Sequence, residues 1–290
     1  MRKYKVAAVQ LDTQNNKEHN IEEIRRFIRQ AAEGGAVLAA LPEDMNLIGR
    51  NVGEGGDEED IPGYTTEILM KQAREYGIYI HSGSFRERIP AGEPGDGFAA
   101  SRRRAYNTSI LLGPKGDILA KYRKIHTFDV TLPDGTVCNE SERIRPGKET
   151  VVVDTELGRL GFAICYDLRF PELFRCMALE GAQVMFLPAN FTRPTGKDHW
   201  EALLRARAIE NGCYMVAAGQ TGVKPRYEAN GNSMIVDPWG TILSRAQDKP
   251  GVIFGEIDLD YLEEVRRKIP SLSNRRGDVY DCCVLKNNEQ

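Results

Sequence analysis

Residues 3–43 read KYKVAAVQLDTQNNKEHNIEEIRRFIRQAAEGGAVLAALPE, and this stretch decides the fold class. Residues 4–11 have the pattern of a β-strand. In Asn20–Glu33 the apolar residues recur at helical spacing on one face, and Gly34 ends the pattern. Residues 36–41 are continuously apolar, as strands covered on both faces are. The order is therefore strand, helix, strand, which predicts an α/β fold that opens with a βαβ unit.

The rest of the chain continues this alternation. A helix at 66–76 and a strand at 78–85 repeat the unit, and two hairpins follow at 107–124 and 150–165. A helix starts at Pro171, and Asp198 with Glu201 resembles a capping box that opens another. The other predicted strands and helix are 183–187, 213–218, 233–236, 242–245, 252–257 and 261–268, and the predicted loops are 51–63, 86–104 and 125–147.

No linker divides these elements, so residues 1–270 are predicted to form one domain and residues 271–290 a polar tail that packs on a neighbouring subunit.

The chain has 290 residues, 39 Lys and Arg, 42 Asp and Glu, and a net charge of −3. This near balance argues against a nucleic-acid binder, which carries a strong basic excess. No apolar run is long enough for a membrane span or a secretory signal, which predicts a cytoplasmic protein.

Three residues with complementary chemistry follow predicted strands. Glu43 is an acid or base, Lys124 is a cation, and Cys165 is a nucleophile. Because reactive groups in open α/β folds gather at the carboxyl ends of strands, these three side chains are expected to meet. A thiol needs a base or a cation to act as a nucleophile, and acyl transfer needs positive charge where an oxyanion forms.

The segments around these residues are ALPEDMNL (40–47), KYRKIHTFD (121–129) and GFAICYDLRFPEL (161–173). In this order they resemble the three catalytic motifs of the nitrilase superfamily of carbon–nitrogen hydrolases. The similarity extends through residues 191–222 and 233–243 and favours the branch of omega-amidases and deaminated-glutathione amidases. The resemblance implies a four-layer αββα sandwich, a homodimer or higher homo-oligomer, and hydrolysis of a small amide without a metal or an organic cofactor.

The resemblance also implies a role for each motif residue. Cys165 matches the nucleophile, Glu43 the general base, and Lys124 the lysine that stabilises the tetrahedral intermediate. The family has a second glutamate in the following loop, for which NESERIRPG offers Glu140 and Glu142. We choose Glu140, because Ser141 follows it as in the family pattern.

The substrate is less determined than the reaction. The branch implies a short amide that carries a carboxylate, which an arginine would bind. Arg169 and Arg193 are the candidates, although Arg169 could instead pair with Asp167 or Glu172. The remaining predicted substrate-binding residues are Tyr166, whose backbone N–H would help to hold the oxyanion, Phe191 and Thr192. The loop 86–104 could rim the pocket.

Other functions stay open at this point. A nitrilase or an N-carbamoyl amide hydrolase would use the same residues, and a catalytically silent scaffold could share the fold. A Cys–His protease would need one of His81, His126 and His199 beside Cys165, but no protease signature surrounds that cysteine. A zinc site is disfavoured because no pair of His or Cys ligands has a second pair to match it.

Overall fold

Two β-sheets packed face to face form the centre of the molecule. The computed structural model describes residues 1–49, 56–93, 104–131, 135 and 137–282. In chain order the strands are β1 (Lys3–Gln10), β2 (Leu38–Ala40), β3 (Tyr79–His81), β4 (Phe85–Arg88), β5 (Ala105–Leu112), β6 (Ile118–Arg123), β7 (Asp129–Thr131), β8 (Val137–Asn139), β9 (Val152–Thr155), β10 (Gly158–Phe162), β11 (Val184–Phe186), β12 (Tyr214–Ala217), β13 (Thr221–Val223), β14 (Glu228–Asn230), β15 (Met234–Val236), β16 (Ile242–Arg245) and β17 (Gly251–Asp258). The helices are α1 (Lys17–Glu33), α2 (Tyr64–Tyr76), α3 (Pro171–Leu179), α4 (Arg193–Asn211) and α5 (Leu259–Lys268), with short 3₁₀ helices at Glu140–Glu142 and Cys165–Arg169.

The first sheet has the strand order β17-β1-β2-β3-β5-β4, and β6 also pairs with β5. Strands β1, β2 and β3 run parallel, with Ala8 opposite Ala40 and Ala40 opposite His81. The predicted βαβ opening is therefore confirmed. Parallel pairing places the carboxyl ends of β2 and β3 at one edge of the sheet, and Glu43 follows β2 at that edge.

Helices α1 and α2 cover the outer face of this sheet. The residues of α1 that share one face, Ile21, Ile24, Phe27 and Ile28, are buried against Ala7, Val9 and Ala39. Asn16 caps α1 by accepting a hydrogen bond from the backbone N–H of His19, so the helix begins three residues before the predicted start at Asn20. Burial of this apolar face is what holds the helix on the sheet.

The second sheet has the order β16-β15-β12-β11-β10-β9, with β10, β11 and β12 parallel. It packs on the inner face of the first sheet, where the ring of His81 stacks on Phe162 and Phe186 at centroid distances of 5.4 and 4.9 Å. Helices α3 and α4 lie on its other face, where Phe174 and Leu204 are fully buried. The layers are therefore helix, sheet, sheet and helix, as predicted.

Four predictions about local structure are wrong. The strand predicted at 78–85 is two strands, because the chain turns at Gly83, whose φ is +67°. Residues 86–88 belong to β4 rather than to a loop, and the buried carboxylate of Glu87 is satisfied there by Arg123 and Lys121. The loop predicted at 125–147 contains the β7–β8 hairpin and a 3₁₀ helix.

The fourth error concerns α4, which begins at Arg193 with Thr192 as its N-cap residue. The Asp198–Glu201 pair therefore lies inside the helix and does not cap it. Pro194 in the first turn is the signal that marks the true start. The hairpin of β13 and β14 was not predicted, because its strands are only three residues long.

Parts of four predicted segments fall outside the described residues. These are residues 51–55 of the loop 51–63, residues 94–103 of the loop 86–104, residues 132–134 and 136 of the loop 125–147, and residues 283–290 of the tail. Of the tail, residues 271–282 are described, and they contact the chain's own domain through Leu272, which packs on the main core. The Sγ atom of Cys282 also lies 3.4 Å from that of Cys176 on α3.

Candidate active site

Glu43 lies in a turn after β2 and is 3% exposed. One carboxylate oxygen, Oε1, accepts hydrogen bonds from Lys124 Nζ at 3.0 Å and Asn107 Nδ2 at 2.9 Å. The other, Oε2, accepts from the backbone N–H of Asn190 at 2.9 Å. Three donors therefore hold this carboxylate in one orientation.

The turn that carries Glu43 depends on a close approach between two backbone segments. Gly83 packs against the carbonyl of Pro42, and a Cβ atom at position 83 would lie 2.0 Å from that oxygen. The backbone N–H of Ser84 donates to the same carbonyl at 3.2 Å. Any side chain at position 83 would therefore push the Glu43 turn away from the sheet edge.

Lys124 follows β6, and its side chain is 2% exposed. Its Nζ atom contacts Glu43 and both carboxylate oxygens of Glu140, each of the latter at 2.9 Å. Burial alone would lower the pKa of Lys124, but the negative charges of Glu140 and Glu43 outweigh it and raise that pKa well above its ordinary value. The amine is therefore a permanently charged cation at the centre of the site.

Cys165 stands at the first residue of the 3₁₀ helix that follows β10 and is 8% exposed. Its φ of +48° lies in the left-handed region, which a residue with a side chain adopts only under constraint. Its backbone N–H donates to Pro188 O at 2.9 Å, and its thiol lies close enough to Glu43 for that carboxylate to act on its pKa. Burial and the charge of Glu43 raise the pKa of Cys165 well above its ordinary value, so the resting group is a thiol.

The structure brings Glu140, and not Glu142, to the predicted catalytic group. Glu140 Oε2 accepts from Lys124 and also from the backbone N–H of Phe128 at 2.6 Å. Glu142 Oε1 instead accepts from Asn139 Nδ2 at 3.2 Å on an exposed surface. Glu43, Lys124, Cys165 and Glu140 therefore form one connected cluster, which we call the site cluster.

Sequence reasoning missed two residues that support this cluster, Asn107 and Asn190. Asn107 lies within β5, where all eight residues are buried, and its amide donates to Glu43. A buried asparagine in an otherwise suitable strand is a detectable signal, because a buried amide requires a hydrogen-bond partner. Asn190 contributes a backbone N–H, which carries no sequence signal.

Asp167 holds the turn that carries the nucleophile. It is fully buried, and its carboxylate accepts from Tyr122 Oη at 2.7 Å and from the backbone N–H of Ile164 at 2.8 Å. His126 Nδ1 lies 2.7 Å from the other oxygen, and its ring stacks on Phe170 at 3.6 Å. This histidine is therefore engaged by Asp167 and not by Cys165.

The other two histidines considered for a Cys–His pair also have other partners. His81 Nε2 lies 3.0 Å from Ser109 Oγ, and His199 Nδ1 lies 3.2 Å from Arg169 Nη1. Within the described part of the chain, no histidine is hydrogen-bonded to Cys165, and the charged groups that act on its thiol are Glu43 and Lys124. The geometry therefore argues against the protease alternative.

The predicted substrate-binding residues lie on two segments beside the site cluster. Arg169 does not pair with Asp167 or Glu172, and its guanidinium lies 5.4 Å from the centre of the Phe191 ring and 5.9 Å from that of Tyr166. Arg193 is exposed and forms ion pairs with Glu228 at 2.6 Å and Asp248 at 3.3 Å.

Thr192, the N-cap residue of α4, is half-buried, and its Oγ1 atom lies 2.9 Å from Thr195 Oγ1. Phe191, buried just before it, packs on Trp200 at a ring distance of 5.0 Å.

The described residues contain no cluster of three or more His, Cys, Asp or Glu side chains that could hold a metal ion. No helix among them is long and apolar enough to cross a membrane.

Comparison with known proteins places this chain in a family. The sequence profile of the carbon-nitrogen hydrolases matches residues 5–267. The chain is 41% identical over 278 residues to a protein named deaminated glutathione amidase from Synechocystis, covering 95% of this chain and 99% of that one. It is 39% identical to omega-amidase NIT2-A of Xenopus laevis, covering 97% and 98% of the two chains.

Solved structures agree with the sequence comparison. The NitFhit protein of C. elegans superimposes with a TM-score of 0.88 at 34% identity, covering all of this chain and 69% of that one. Nit3 of Saccharomyces cerevisiae, a nitrilase-superfamily member, superimposes with a TM-score of 0.81 at 31% identity over 95% of this chain and 97% of that one. The chain therefore belongs to the carbon-nitrogen hydrolase family and has the nitrilase fold.

Proposed function

We propose that this enzyme hydrolyses the primary amide of a small carboxylate to a carboxylic acid and ammonia, with Cys165 as the nucleophile. The observation that carries the proposal is that one carboxylate, Glu43, is hydrogen-bonded to the Lys124 amine and lies near enough to the Cys165 thiol to raise its pKa. A base, a nucleophile and a fixed positive charge are the three requirements of acyl transfer through a thioester. The amidase names of the relatives support the choice of an amide.

In the first half-reaction, Glu43 accepts the thiol proton as the sulfur attacks the amide carbonyl carbon. The raised pKa of Cys165 means that the thiolate is not formed beforehand, so transfer to Glu43 accompanies the attack. Lys124 and the backbone N–H of Tyr166 stabilise the oxyanion of the tetrahedral intermediate. Glu43 then returns the proton to the leaving nitrogen, and ammonia departs.

In the second half-reaction, Glu43 takes a proton from a water molecule, and the resulting hydroxide attacks the thioester. The carboxylic acid leaves, and the proton returns to the sulfur to restore the thiol. Glu140 orients Lys124 through two contacts of 2.9 Å and thereby positions the substrate amide and the water.

Arg169 is the stronger candidate for binding the carboxylate of the substrate. Among the described residues, no carboxylate lies within ion-pair distance of its guanidinium, which borders the aromatic rings of Tyr166 and Phe191. Arg193, by contrast, is already neutralised by Glu228 and Asp248. An arginine with unused donors can bind a carboxylate through two parallel hydrogen bonds.

The test is to measure ammonia release from a panel of omega-amides, neutral amides, nitriles and carbamoyl amino acids. We expect turnover of omega-amides by the wild type and none by Cys165→Ala. Cys176→Ser, which alters a half-buried cysteine on α3, is the matched control and should retain activity. Turnover of nitriles or carbamoyl compounds alone would favour a nitrilase or a carbamoyl hydrolase. Silence across the panel would favour a scaffold.

We also propose that residues 1–270 are the catalytic domain and that the tail from residue 271 packs on a second subunit in a homodimer. Exposed apolar side chains of Val279 and Tyr280 in the tail and Trp239 on the domain support this assembly. Sedimentation of the full chain and of residues 1–270 tests it, since only the full chain should dimerise. The proposed cytoplasmic location can be tested by cell fractionation.

A further inference from the structure

Asn190 connects the two sheets at the site cluster. It lies four residues after β11 of the second sheet, and it contacts Glu43 and Asp44, which follow β2 of the first sheet. Its backbone N–H donates to Glu43 Oε2 at 2.9 Å, and its side-chain Nδ2 donates to Asp44 Oδ2 at 3.1 Å. The same nitrogen donates its second hydrogen to Tyr227 Oη at 2.5 Å. Asn190 therefore bonds two consecutive residues, Glu43 and Asp44, that follow a strand of the first sheet.

The same segment also holds the nucleophile. Pro188, two residues before Asn190, accepts the hydrogen bond from the backbone N–H of Cys165 at 2.9 Å. Glu43 and Cys165 are 122 positions apart in the sequence, and they come from different sheets. The distance between Glu43 and Cys165 therefore depends on contacts between the sheets. Residues 188–190 contact both Glu43 and Cys165.

Asp44 has a backbone conformation that needs such support. Its φ is +53°, in the left-handed region, although it has a side chain. A residue other than glycine keeps this conformation only when its surroundings hold it there. The hydrogen bond from Asn190 is a side-chain contact that anchors Asp44, and Asp44 is covalently joined to Glu43.

From these contacts we propose that Asp44 is a positioning residue, which acts through Asn190 to hold Glu43 in line with the Cys165 thiol. The pair Asp44 and Asn190 is called the clamp. The inference rests on the proposed function, because it assigns Glu43 the role of base.

The charge of Asp44 is not needed for the clamp. Burial and the adjacent Glu43 raise the pKa of Asp44 to about 7. A neutral carboxyl group still has an acceptor oxygen, so the bond from Asn190 Nδ2 is possible in either protonation state. An asparagine at position 44 also offers an acceptor oxygen of the same shape. Asp44→Asn therefore preserves the clamp, whereas Asp44→Ala removes it.

The experiment measures kcat and KM separately for Asp44→Ala, Asn190→Ala, the double variant and Asp44→Asn, on the amide that the wild type hydrolyses fastest. We expect each alanine variant to lower kcat on the order of tenfold with little change in KM, as for loss of one hydrogen bond that acts in the transition state. Because both residues form one contact, the double variant should lose no more than either single variant. Asp44→Asn should remain within about twofold of the wild type.

Tyr227→Phe is the matched control, since it removes the other partner of Asn190 Nδ2 and leaves the clamp intact, so its kcat should stay unchanged. Thermal unfolding of every variant separates a folding defect from a kinetic one. The clamp is refuted if the alanine variants lose thermal stability but keep kcat, or if Asp44→Asn is as slow as Asp44→Ala. Failure of the proposed function is distinguishable, because it would appear as an inactive wild type or an active Cys165→Ala.

Discussion

Replacement of Lys124 by methionine tests the electrostatics of the site cluster. The Nζ atom of Lys124 makes three contacts of 2.9–3.0 Å with Glu43 and Glu140, whose side chains are 4% and 20% exposed. Methionine has a similar length but no charge, so the two carboxylates would lose their shared counter-ion. Removal of one partner from a buried ion pair costs about 3–5 kcal/mol of unfolding free energy. Since Glu140 is partly hydrated, we expect the lower part of that range.

The effect on catalysis should be separate from the effect on stability. Loss of one oxyanion donor raises the barrier by about 2.7–4 kcal/mol, so kcat should fall by about 10²–10³-fold. The double variant Lys124→Met with Glu140→Gln removes one of the two uncompensated charges. It should regain part of the lost unfolding free energy without regaining activity.

Urea unfolding and ammonia release measure the two effects on the same preparations. Three results would contradict the reasoning. The first is a Lys124→Met variant with kcat within about tenfold of the wild type. The second is an unchanged urea midpoint, and the third is a double variant less stable than Lys124→Met alone.

Three further predictions concern groups around the cluster. Burial lowers the pKa of His81 to about 3, so below pH about 6.5 the unfolded chain binds a proton that the folded chain does not. As the pH is lowered from about 6 to about 4, His81 should therefore reduce the unfolding free energy by about 1.4 kcal/mol per pH unit. In urea unfolding, the stability of His81→Gln should depend less on pH than that of the wild type. Arg169→Gln should raise KM for amides that carry a carboxylate and leave KM for neutral amides unchanged; equal effects on both would exclude a carboxylate-binding role. Asp167→Ala should lower the unfolding free energy by about 2–4 kcal/mol, because the buried donors of Tyr122 and Ile164 lose their acceptor; a urea midpoint equal to that of the wild type would show that these contacts do not stabilise the fold.

Much of the architecture was predictable because its signals are local. The helical face of α1 and the apolar strand β2 follow from spacing within about 40 residues. The errors arose where tertiary contacts overrode local composition. Residues 86–88 look like a charged loop, yet Glu87 is buried in β4 because Arg123 and Lys121 from β6, which also pairs with β5, neutralise it.

By itself, the sequence determined the α/β class and the candidates Glu43, Lys124 and Cys165, because periodicity and strand ends can be read from residues close together in the chain. The resemblance to a known family, which also rests on local motifs, added Glu140 as a candidate. Only the tertiary structure decided that Glu140 rather than Glu142 reaches Lys124, and that Asn190 bonds both Glu43 and Asp44. The physical reason is that hydrogen bonds and charges act over a few ångströms in space. Residues that meet across two packed sheets have no fixed separation along the chain.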